Sequence, residues 1–287
     1  MTEPKPTIAE EVELYLRTGD YDPNHLAWSG GFLQSARQSH KDLREALVRE
    51  VRRLAGRRVQ RSIPEIDTVA LVRGKVEPMV RGLFRRVEQE AVLAVLGRSV
   101  VFVSEANLEQ ILRSHSWHSS AWGLANLYLA SVDAELLGEE APGIVGLSVG
   151  ATCFVSPEYF AENDPFADFI VHEAAHIFHN CKRGMAGLAE TRRREFLLNV
   201  EFRKRETFAY SCEAYSRILE RARTPSERRL LAAEYGAEPR IPDQGVDQDE
   251  VTDILREAAA ARAGWKIILA RCAPPPNPGR RRTGATS

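Results

Sequence analysis

The protein comprises 287 residues, 44% hydrophobic and 28% charged, the make-up of a globular protein of one large domain or two modest ones rather than of a disordered one. Lys and Arg number 39 against 40 Asp and Glu, a net charge of −1 that argues against a globally basic nucleic-acid binder. No apolar run approaches the roughly 20 residues that span a bilayer.

The acidic first residues lack the apolar stretch of a secretory signal. Cys153, Cys181, Cys212 and Cys272 form no CxxC pair, so reduced thiols and a cytoplasmic location are expected. Ile8, Val12 and Leu16 predict a first helix, broken at Gly19-Asp20-Tyr21-Asp22-Pro23. Leu43, Leu47, Val51 and Leu54 predict a second, from about Phe32 to Leu54. Its Lys41, Arg44, Arg49, Arg52 and Arg53 read as the solvated face of an amphipathic helix rather than as phosphate contacts. Residues 66–96 read as one helix or two, and Val100-Val101-Phe102-Val103 as a buried strand, with Ser104 capping the next helix. The stretch 115–150 is weakly periodic, with a turn at Pro142-Gly143. His115 and His118, three apart with no acidic or thiol partner nearby, read as loop or surface residues. Residues 144–149 and 151–155 predict two short strands, paired as a hairpin. Thr224-Pro225-Ser226-Glu227 is a capping box, a last helix runs from about Glu250 to Arg271, and the Pro- and Arg-rich residues after it predict a disordered tail.

The chemistry concentrates in Asp164–Asn180, where Asp164 is expected as cap and Pro165 as first helical residue. His172 and His176 stand four apart, so about 400° of rotation sets both imidazoles on one helix face, as two ligands of one Zn²⁺ require. Glu173 lies about 100° round from His172, where a carboxylate can take a proton from a metal-activated water. His179 is a full seven residues beyond His172, too far along the helix to share the ion, and reads as a surface or outer residue.

This HExxH stretch resembles the zincin metallopeptidases. The metzincin spacing fails, since Lys182 stands where a third His would be needed. The segment Glu201–Tyr215, with Glu206-Thr207-Phe208-Ala209 and Glu213-Ala214-Tyr215, is similar to the third-ligand helices of gluzincins. Its apolar stripe of Phe208, Ala209, Cys212 and Tyr215 puts Glu206 at the edge of a buried face, with Glu213 on the same face seven residues on. Glu206 is the expected third ligand, with Glu213 and Glu201 as alternatives and Glu213 also suited to hold a ligand His by its outer N–H. Tyr210, and after it Tyr215, are candidates to stabilise the oxyanion; gluzincins usually carry Asp at the place of Tyr210.

The resemblance, which covers about residues 150–220, implies an α+β zincin-like fold, mainly helical with a small mixed sheet. It also implies bound zinc and hydrolysis of a peptide or protein substrate, with residues 151–155 as either the edge strand that receives the peptide or a plain structural strand. The expected division is a helical region 1–95, a metallopeptidase domain 96–272 and a tail 273–287. Two alternatives stay open: a regulatory or toxin-like zincin with one dedicated partner, and a helical interaction module in which the motif is structural.

Overall fold

The computed structural model describes residues 5–138, 141, 144–191 and 194–275. It is α+β: eleven α-helices and one three-stranded mixed sheet among the described residues. No helix among them is long and apolar enough to cross a membrane. The expected turn at Pro142-Gly143 and the tail beyond residue 275 lie outside the described residues.

The protein divides into two compact units. One unit comprises residues 1–72 and 97–164, the other 73–96 and 165–287. The first contains α1 (Ile8–Thr18), α2 (Phe32–Ala55), β1 (Val100–Phe102), α5 (Glu105–Ser114), α6 (His118–Ser131), β2 (Gly146–Val149) and β3 (Thr152–Val155). Helix α3 (Thr68–Leu83) starts in the first unit and runs into the second, which continues with α4 (Arg86–Leu96) and α7 (Phe169–Asn180). It is completed by α8 (Arg205–Arg221), α9 (Pro225–Tyr235), α10 (Gln248–Ala260) and α11 (Gly264–Cys272).

In the first unit, the stripe Leu43, Leu47, Val51 and Leu54 of α2 is buried with Leu108 and Leu112 of α5 and Leu124 and Tyr128 of α6. α1 is closed by a Thr7–Glu10 capping box and by Gly19, whose φ of +78° only glycine adopts without strain. The 115–131 stretch, weakly periodic in sequence, contains a full helix that is buried on most of its faces. His118 opens it and is 1% exposed, so the surface assignment fails. β2 and β3 form the expected antiparallel hairpin, but β3 is the centre of the sheet, paired in parallel with β1 on its other side. Its main chain therefore offers no free edge to a peptide.

In the second unit the expected last helix is two, α10 and α11, interrupted at residues 261–263. Gly264 begins α11 where an added Cβ would meet the Tyr215 hydroxyl and the Ala258 carbonyl, and Gly82 of α3 lies against the Trp265 ring. α3 and α4 are tied to later elements by the Phe84–Phe178 ring contact at 5.1 Å and by Lys266 Nζ donating to the Leu83 carbonyl at 2.6 Å.

Candidate metal centre

The motif helix starts one turn later than expected. Asp168, not Asp164, caps α7: its carboxylate accepts from Val171 N at 3.3 Å and forms an ion pair with Lys75 at 3.0 Å. Its backbone N–H donates to Glu213 Oε1 at 2.7 Å. Residues 168, 172 and 176 meet residues 213 and 206 in falling order, so α7 and α8 run antiparallel. The return is made by the 181–204 connection, which turns at Gly187 (φ +66°). It is anchored by Arg183, 3% exposed, which pairs with the buried Glu88 of α4 and donates to the Ala189 carbonyl.

Three ligand atoms converge. His172 Nε2 and His176 Nε2 are 3.2 Å apart, and Glu206 Oε2 lies 3.6 Å from the first and 3.4 Å from the second. Ligands about 2.0–2.1 Å from a tetrahedral zinc are about 3.3–3.4 Å from one another, so the observed triangle has the size of one face of such a site. The donor set, two imidazoles and a carboxylate, is the borderline mixture that zinc accepts. On its outer side, His172 places Nδ1 at 3.0 Å from Glu213 Oε2; the carboxylate accepts from Nδ1–H, which leaves Nε2 as the ring nitrogen that faces the triangle. The residues present therefore fit a zinc ion.

Acidic groups gather round the triangle. Asp168, Glu173 and Glu213 are buried, Glu206 is half-exposed, and Lys75 is the basic partner of Asp168. Burial works against charge on His172, but Glu206 and Glu213 outweigh it and raise its pKa to about 10 in the metal-free protein. Burial works equally against charge on Glu206, but the two imidazoles hold its carboxyl far below the usual carboxylate range. Its place in the first turn of α8 adds the favourable field of a helix N-terminus. The Glu206 side chain is 46% exposed against 13% and 11% for the two histidines, so the ligand cluster meets solvent on the Glu206 side.

Not all of the other sequence candidates lie at this triangle. Glu173 is buried, close enough for its charge to raise His172 and Tyr210. The Tyr210 ring stands edge-on to His172 at 4.6 Å, its phenol pushed up chiefly by burial and by Glu213. Tyr215 is elsewhere: it is 2% exposed, donates to the Ala258 carbonyl at 3.4 Å and packs on Trp265. Glu201 precedes α8, its N–H bonded to the Cys272 carbonyl at 2.9 Å. Glu213 is not in the triangle but behind it, in the outer role that its spacing also suited. His179, 4% exposed, is no surface residue; burial, then His176 and Arg205, lower its pKa to about 3. Asp168 and Lys75 are neighbours of the cluster that the sequence does not single out. Lys75 carries no local signal, while the Asp-x-x-x-His spacing of 168 and 172 could have marked a cap. No family model, curated protein or solved structure matches this protein.

Proposed function

We propose that the protein is a zinc metallopeptidase of gluzincin type, in which His172, His176 and Glu206 hold the metal. The observation that carries this reading is the 3.2–3.6 Å triangle of inward-facing ligand atoms, with Glu213 fixing His172 from behind. A zinc ion held there supplies Lewis acidity and a water that is nucleophilic at neutral pH. Glu173 accepts the proton of the attacking water on its carboxylate and returns it to the leaving amide nitrogen as the C–N bond breaks. Tyr210 donates from its hydroxyl toward the carbonyl oxygen as that oxygen gains charge. Glu213, anchored by the Asp168 N–H, keeps His172 in the tautomer that leaves Nε2 available.

A second reading has its own support. Glu206 and Glu213 favour a proton on His172, so an imidazolium bridging two carboxylates would satisfy the cluster without a metal and make the motif structural. Metal content separates the two. The peptidase reading expects about one zinc per protein molecule after zinc-replete purification, with cleavage of a mixed peptide library that a chelator stops. Absence of both, in folded protein, leaves the structural reading. Whether such an enzyme serves one dedicated partner or many peptides is read from the same library.

A further inference from the structure

We propose that His179 and Asn180 form a tautomer relay that points the Nε2 lone pair of His176 at the metal position, which extends the working motif of this protein to H-E-x-x-H-x-x-H-N. The proposal rests on the peptidase reading for its function but not for its geometry. His179 lies three residues after His176 on α7, so its ring falls on the same face one turn on. Its Nε2 is 3.1 Å from His176 Nδ1, and its Nδ1 is 3.1 Å from Asn180 Oδ1. An amide oxygen only accepts, so the proton of a neutral His179 is on Nδ1 and its Nε2 carries a lone pair. Two lone pairs cannot bond, so His176 must carry its proton on Nδ1, which frees its Nε2 to face His172 Nε2 and Glu206. His176 is 9% and His179 4% exposed, which leaves water little room to take over the acceptor role.

The two ligand histidines are thereby held in different ways. His172 leans on a carboxylate from a second helix, whereas His176 leans on a neutral imidazole from its own helix. The first support depends on the docking of α8 against α7; the second is built into α7 alone. His179 is thus a positioning residue that acts through His176.

The test compares His179→Gln with His179→Leu in the full-length protein. Glutamine places an amide oxygen close to where Nε2 stands and can still accept from His176; leucine fills the space and accepts nothing. Zinc affinity is read by competition with a chromophoric chelator, and the His176 tautomer by ¹⁵N–¹H long-range NMR on metal-free protein. His179→Leu should weaken zinc binding about 10–100-fold, with His179→Gln within a few-fold of wild type. Metal-free wild type should show His176 protonated on Nδ1, and His179→Leu a mixture of tautomers. Where wild type binds zinc, equal affinity in wild type and His179→Leu overturns the proposal; a His176 proton on Nε2 in the wild type overturns it in either case. If wild type binds no zinc while its His176 is Nδ1-protonated, the peptidase reading fails and the relay stands.

Discussion

At the scale of single residues, Glu173→Gln separates metal binding from chemistry. On the peptidase reading it keeps size and helix propensity but removes the proposed base, so zinc content should match wild type while hydrolysis falls by orders of magnitude; undiminished turnover would remove Glu173 from the mechanism. The ligand assignment makes a ranking. Glu206→Ala leaves two imidazoles and should lose zinc most readily to a competing chelator. Glu213→Ala should cost about 10–100-fold, because His172 loses its outer acceptor, and Glu201→Ala should be neutral. A metal loss at Glu213→Ala greater than at Glu206→Ala would exchange the two roles. His172, Glu173, His176 and the two candidate glutamates are legible in sequence because helical spacing alone sets which side chains share a face. The cap is not, because Asp164-Pro165 mimics a helix start, while the true cap, Asp168, has no proline to announce it. His179 and Asn180 stand in plain view, but spacing tells that a side chain is nearby, not which of its nitrogens bears the proton.

At the scale of elements, close packing between helices is the exacting feature of the second unit. Gly82 of α3 has no space for a Cβ because the Trp265 ring of α11 lies against it. Gly82→Ala should therefore cost about 1–3 kcal/mol, read as a lower urea midpoint with an unchanged m-value. A midpoint equal to wild type would mean that α11 shifts without loss. Amphipathic helices such as α2 are predictable to within a residue or two, since one apolar stripe defines them. α6 is not: Ala121, Leu124, Ala125, Leu127, Tyr128 and Leu129 are buried almost all the way round, which erases the stripe that marks a helix. Strand β3 can be found in sequence but not placed, because a short apolar run reads alike at the edge and at the centre of a sheet. The break between α10 and α11 falls in an alanine-rich stretch with no proline, where helix propensity predicts continuity.

At the scale of the whole molecule, acid is the condition that should unsettle the first unit. His118 is buried with no hydrogen-bond partner on either nitrogen, among His40, His25, Tyr15 and Tyr21, and Arg44 adds its charge. Burial first, then His40 and Arg44, lower its pKa to about 4 from 6.5. The unfolded state takes up this proton before the folded one, so the stability it contributes is present above about pH 6.5 and is lost as pH falls toward 4. Urea midpoints at pH 7.5 and 5 should fall less in His118→Phe, which cannot titrate, than in wild type; parallel losses would clear His118. The discontinuous units also set an order of events that the finished fold conceals. During synthesis residues 1–72 and 97–164 can come together before most of the second unit exists, but residues 73–96 emerge long before their partners. Until α7 to α11 leave the ribosome, the segment that carries Val76, Met79, Val80, Leu83, Val92 and Leu93 lacks the rest of its unit, and Glu88 has no Arg183. The window in which this protein most needs a chaperone is therefore written into its middle, between the synthesis of α4 and that of α8.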